Sequence, residues 1–151
     1  MLKSFRIGGI HPKENKFSAG MAIQSIAVPA QVMIPLSQHI GAPCQPVVKK
    51  GDKVKVGTLL GKSVGFVSAH IHSSVSGTVL KIDKVLDASG YKRDAVFIKV
   101  EEDEWEEQID RSEALVTECS LTPKEILEKI AAAGIVGMGG ATFPTQVKLT
   151  P

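Results

Sequence analysis

The chain has 151 residues, of which 43% are apolar, 23% charged and only 5% aromatic; that length suits one domain with an attached segment. No apolar stretch approaches the roughly 20 residues that cross a bilayer, and the opening Met1–Ile10 lacks the apolar core of a secretion signal, so a cytoplasmic chain that meets membranes through partners is expected. The cysteines Cys44 and Cys119 are too few for a disulfide framework or a four-thiolate cluster and fit a reducing compartment.

The net charge of +2 hides an asymmetry: residues 1–100 carry 14 Lys and Arg against 5 Asp and Glu, and residues 101–151 carry 4 against 11. A basic front and an acidic tail can dock an acidic partner or a membrane surface, or can be two solvated faces.

In chain order, residues 1–30 are interrupted by Gly8, Gly9, Pro12, Gly20 and Pro29 and predict an irregular arm that wraps a core. Val32–Ile34 predicts a short strand stopped by Pro35, and Ser37–Pro43 a turn-rich loop. Pro46–Val48 is apolar and extended. Lys50–Lys53 reads as a turn, because Gly51 accepts positive φ and Asp52 bonds nearby amides. Val54 and Val56 alternate with lysines, Gly57 ends that hairpin, and Thr58–Leu60 forms a further strand. Gly65–Ser68 leads to a second hairpin, in which Ala69–Val75 is extended and Ser76-Gly77 turns into a strand over Thr78–Ile82. Asp83–Arg93 predicts a polar loop and Ala95–Val100 a last strand. Repeated brief strands with glycine turns give a mainly β class, a small sandwich or barrel over residues 1–100.

Glu101–Glu107 places six acidic residues around Trp105. Such a run is expected to stay solvated and to open an acidic linker over residues 101–121. A helix follows, with Thr122 as N-cap, Pro123 in its first position and Glu125 completing a capping box. Ile126, Leu127, Ile130 and Ala131 share one face, and Gly134 ends the helix. The stretch Gly134–Pro144 is glycine-rich and, being so near Pro151, is expected to have nothing downstream to pack on, as in a fragment of a longer chain.

Four groups of residues merit chemical readings. The spacing of Val47, Val48, Gly51, Asp52, Val54, Gly57 and Leu60, followed by Ser76-Gly77-Thr78-Val79, resembles biotinyl and lipoyl carrier domains. Those domains present a modified lysine at a hairpin tip, but the matching position here is Phe66, and no lysine lies between Lys62 and Lys81. A carrier-like fold without carrier activity is expected. His70 and His72 would share one strand face, near His39 or Cys44; they read as a weak metal site or as polar residues on an exposed sheet face. Backbone amides of Gly137, Gly139 and Gly140 could cradle a phosphate, with Lys148 as counter-charge, or the segment is an ordinary flexible loop. Lys49, Lys50, Lys53 and Lys55 surround one turn and read as a contact for an acidic redox partner or as a solvated edge that resists aggregation. Without interleaved aromatics they do not suggest nucleic-acid binding.

Taken together, Gly8–Lys16, Ile34–Pro43, Gly65–Ala69 with Val75–Val79, and Gly134–Thr145 with Val147–Leu149 resemble the C subunit of the Rnf complex, a membrane-bound ferredoxin:NAD oxidoreductase that moves ions. The resemblance implies a barrel-sandwich hybrid domain, then the start of a flavin-binding α/β domain over residues 122–151. By that match Gly137, Gly139, Gly140 and Lys148 would hold the FMN phosphate, while Thr142 stands where the family usually has glycine. It further implies that the parent protein carries FMN, NADH and two 4Fe-4S clusters, and that its partners are the other Rnf subunits and ferredoxin. It would sit peripherally on the cytoplasmic face of the inner membrane. This stretch is expected to hold no cofactor or metal and to catalyse nothing alone. The rival reading is a standalone carrier-like adaptor with no redox role.

Overall fold

The computed structural model describes residues 12–87 and 89–151; residues 1–11 of the expected arm lie outside them. Seven strands come first: β1 (Gln31–Pro35), β2 (Gln45–Pro46), β3 (Lys53–Val54), β4 (Leu59–Lys62), β5 (Ile71–His72), β6 (Gly77–Leu86) and β7 (Lys92–Val100). Two helices follow, α1 (Pro123–Ala132) and α2 (Thr145–Leu149). The strands form two antiparallel sheets, one in the order β1-β7-β6-β3 and one in the order β2-β4-β5. The chain is therefore mainly β, as expected.

Between the sheets lie Ile34, Leu36, Cys44, Val54, Leu60, Ile71, Val79, Val96 and Ile98. Alternation along β7 directs Val96 and Ile98 inward, since successive side chains point to opposite faces. In β6 a bulge between Val79 and Lys81 shifts the phase. Val79 and Ile82 therefore both face the core, while Lys81 and Asp83 pair outside it at 2.7 Å. Without the extra residue, strict alternation from Val79 would turn both charges inward.

Several expectations are corrected. Residues 83–93 are not a polar loop: β6 and β7 stay paired out to Leu86 and Lys92. The pairing continues past the end of the core, where both faces meet solvent, so its residues are polar although extended. Pro46–Val48 and Val54–Val56 do not form a hairpin across the Lys50–Lys53 turn, for β2 pairs with β4 and β3 with β6; Gly57, at φ +94°, turns the chain from one sheet to the other. Gly77 is a strand residue rather than a turn. Its φ is +150°, and a methyl group there would overlap the Lys99 carbonyl oxygen. Residues 12–30 do not wrap the core but are exposed throughout, with Phe17 at 87%; the core is already filled by side chains from β1 onward.

The acidic run packs. Val56 N–H donates to the Glu104 carbonyl at 2.9 Å, and Glu106 N–H returns to the Val56 carbonyl at 3.0 Å. The Glu101 carboxylate accepts from Lys53 Nζ (2.7 Å), Thr78 Oγ1 (2.8 Å) and Lys99 Nζ (2.9 Å). Lys55 reaches Glu104 at 3.1 Å, and Thr58 donates to Glu106. The run thus forms a strap over the open edge beyond β3, where lysines that would otherwise repel one another attract it.

Two predictions test this architecture. Gly77→Ala should destabilise the domain by more than about 2 kcal/mol, against about 1 kcal/mol for Gly51→Ala, since Gly51 shares positive φ but has open space around it; thermal or urea melts of both variants check the order. The three cationic and hydroxyl donors around Glu101, Lys53 first, lower its pKa from 4.5 to about 2. Its charge therefore stabilises the fold fully above pH 4.5, and that contribution is lost as pH falls through about 2. Melting temperature against pH should show Glu101→Gln below wild type at neutral pH, with the gap closing on acidification; a gap independent of pH would contradict the assignment.

Candidate functional site

The loop between β4 and β5 carries the tip expected from the carrier-like pattern. Phe66 stands 71% exposed at that tip, and Val64 is half-exposed beside it. The base of the loop is tied by polar groups. Ser68, 1% exposed, donates to the Ala42 carbonyl at 2.9 Å, and Ala42 N–H donates to the Val67 carbonyl at 3.0 Å. His39 Nε2 accepts from Ala69 N–H at 3.2 Å, while Nδ1 lies 3.1 Å from the Ile40 carbonyl. With the proton on Nδ1 both are hydrogen bonds; Nε2 also lies 3.0 Å from the Ala69 carbonyl, to which the other tautomer would donate instead. Cys44 Sγ donates to the Ala69 carbonyl at 2.8 Å and lies 3.6 Å from His39 Nε2.

Burial pushes the Cys44 thiol above its ordinary pKa, with a hydrogen bond to Ser68 opposing. A protonated, buried thiol is a poor nucleophile and a poor ligand. His39 and Cys44 therefore act as a hydrogen-bonded floor beneath the tip. Sequence reasoning treated them only as auxiliary metal ligands. The signal it lacked was the pairing of loop 37–44 with loop 66–69, which no local pattern announces.

His70 and His72 do not sit on an exposed sheet face. Their rings meet edge-on at 6.4 Å between centroids, and His70 Nδ1 accepts from Ser63 N–H at 3.0 Å. Burial first, and His70 second, push the His72 pKa down. Among the described residues no group of three or more His, Cys, Asp or Glu is placed to hold a metal ion.

The cover over these histidines is the segment after α1. The helix begins as its sequence dictates, with the Thr122–Glu125 capping box formed and Pro123 in the first turn. Gly134, at φ +66°, lies so close to His70 that a methyl group would overlap the His70 carbonyl oxygen. Gln146 Nε2 donates to the Ser68 carbonyl at 2.8 Å, and Ile40 N–H to the Ala141 carbonyl at 3.3 Å. Pro144 is fully buried. The glycine-rich stretch thus finds its seat upstream, on the base of the sandwich tip.

The predicted phosphate residues are distributed as follows. Gly137 N–H already donates to the Phe143 carbonyl at 2.8 Å. A methyl group on Gly137 would lie 3.6 Å from the Lys148 ammonium, which stands 5.6 Å from the centroid of the Phe143 ring. The loop therefore brings Gly137 and Lys148 together. Gly139 and Gly140 face open space, and among the described residues no backbone bond engages their amides. Thr142 adopts φ +43°, a left-handed conformation that suits glycine better than a β-branched residue. Two open amide positions in the loop and one cation on α2 beside Gly137 fit a phosphate as a partial edge, with the Gly137 amide committed elsewhere. None of the described helices is long and apolar enough to cross a membrane.

Comparison with known proteins agrees with this architecture. A family model described as the RnfC barrel sandwich hybrid domain matches residues 3–103. The C subunit of a proton-translocating ferredoxin:NAD(+) oxidoreductase complex from Clostridium ljungdahlii is 49% identical over 100% of this chain and 33% of its own length. The C subunit of a Na(+)-translocating ferredoxin:NAD(+) oxidoreductase complex from Acetobacterium woodii is 45% identical over 94% of this chain and 32% of its own. The C subunit of an ion-translocating oxidoreductase complex from Rhodobacter capsulatus is 42% identical over 98% and 29%. The chain thus spans about a third of the length of these curated relatives. With two antiparallel sheets enclosing one apolar core across the matched residues, the chain belongs to the RnfC family, and residues 3–103 are its barrel sandwich hybrid domain.

Proposed function

We propose that this chain is the docking part of the C subunit of a membrane-associated complex that transfers electrons between ferredoxin and NAD and couples that transfer to ion translocation. The relatives' names supply the complex. The observation that supports a docking role is the tip itself: a buried polar floor of His39, Cys44 and Ser68 holds out an exposed Phe66 where a carrier domain would offer an amine. Rigid support beneath an exposed aromatic suits recognition, whereas covalent carriage needs an attachable nitrogen. On this reading residues 1–100 dock, residues 101–121 strap and link, and residues 122–151 begin a flavin-binding domain. The protein would lie peripherally on the cytoplasmic face of the inner membrane against the other Rnf subunits, with ferredoxin as an electron partner.

In the full-length protein FMN would supply the electron-transfer chemistry at this end. Lys148 would neutralise its phosphate, Gly139 and Gly140 would offer amides, and Gly137 would shape the loop through its bond to Phe143. NADH and the two 4Fe-4S clusters would be held by parts of the parent beyond these residues.

Three measurements test the proposal. The intact mass of the purified chain should equal that of its sequence, since a biotin or lipoate increment would make it a carrier. The chain alone should quench FMN fluorescence little or not at all, and in the full-length protein Lys148→Ala should weaken FMN binding about tenfold; unchanged binding would remove the phosphate role. In membranes containing the whole complex, Phe66→Asp should release the protein into the soluble fraction without changing its FMN content. Full retention on the membrane would favour an adaptor role or another contact surface.

A further inference from the structure

The β6–β7 pair overhangs the core, and beneath the overhang lies a cleft of about 420 Å³. Its floor includes Pro43, Pro46 and Val64, and its wall is Lys84, Lys92, Arg93 and Asp94. Lys84 pairs in register with Asp94 and Leu86 with Lys92, so the two lysines project from the same face of the hairpin. Lys62 flanks the cleft, because it pairs with Gln45 in its lining. Arg93 Nε lies 3.5 Å from Asp87 but, among the described residues, has no hydrogen-bond partner although it is buried.

A second cleft shows what is unusual about the first. It is lined by Lys53 and Lys55 together with Glu101, Glu102 and Glu104. There the acidic strap neutralises the lysines within the chain. Under the overhang, Lys62, Lys84 and Lys92 stand in no ion pair among the described residues, and Asp94 is the one carboxylate in the lining. Three of the lysines of residues 1–100 that stand in no ion pair among the described residues are thus gathered around an apolar floor.

We propose that this cleft receives an acidic protein surface, carboxylates meeting Lys62, Lys84 and Lys92 while an apolar side chain enters between Pro43, Pro46 and Val64. Opposite charge around an uncovered apolar floor is the pattern of a steered, specific contact, in which charge sets approach and register and apolar burial holds the complex. The inference rests on the docking role proposed above and deepens it by naming the partner's chemistry at a cleft that adjoins the Phe66 tip through Val64.

The experiment uses the whole chain and a fluorescein-labelled peptide rich in glutamate with interspersed leucines, read by anisotropy at low ionic strength. Wild type should bind it, and Lys84→Glu with Lys92→Glu should weaken binding at least about tenfold. Lys49→Glu with Lys50→Glu, equally exposed but on the distant turn, should change it by less than about twofold, and added salt should abolish the difference. Equal losses for both pairs would reduce the effect to unspecific charge attraction and overturn the proposal. So would absence of peptide binding, or binding only to phosphatidylglycerol vesicles, which would make the partner a lipid surface. Thermal melts verify folding; Lys84→Gln with Lys92→Gln serves as the milder pair if the charge reversal unfolds. Because the readout is peptide affinity, its failure leaves the Phe66 membrane-retention result standing.

Discussion

Burial of Leu36, Leu60 and Ile71 against Val79, Val96 and Ile98 holds the two sheets together. The three-stranded sheet cannot stand on its own ladder, for β2 and β5 have two residues each and β4 has four. Strands so short form few backbone bonds, and a ladder of this size is marginal in water unless a hydrophobic face covers it. The longer β6–β7 pair supplies that face. Every other feature, including the tip, its polar floor and the helical cover, is positioned by strands that this contact fixes.

The sandwich leaves its edges and ends to be managed by charge and glycine. Edge lysines normally discourage pairing with other chains. At β3 they also recruit residues 101–106, so that the edge is covered by the same polypeptide. Ion pairs exposed to water contribute little individually. Here Glu101 gathers three donors, and backbone bonds between Val56 and the strap add direction that side-chain charge alone lacks. The consequence is a polarised surface, self-neutralised at one cleft and basic at the other.

The segment after α1 is seated on the sandwich. Gly134 and Gln146 seat it against His70 and Ser68. The base of the Phe66 tip and the helix bearing Lys148 therefore share one set of contacts.

Much of this was legible in the residues. Gly51, Gly57 and the alternating valines announced brief strands, Thr122-Pro123 with Glu125 announced the helix start, and Phe66 at the tip argued against a carrier. These are local matters, decided by allowed φ, by capping bonds and by the presence or absence of an amine. Tertiary structure alone decided which strands pair, because β3 and β4 are neighbours in sequence yet enter different sheets to bury Val54 and Leu60. It decided that Asp83–Leu86 and Lys92–Arg93 are paired strand ends, since beyond the core both faces of the hairpin meet solvent and the apolar alternation by which a strand is read is lost. It also decided that the acidic run packs and that the glycine-rich loop has a seat, because both depend on carbonyls and charges brought close only when the chain folds back on itself.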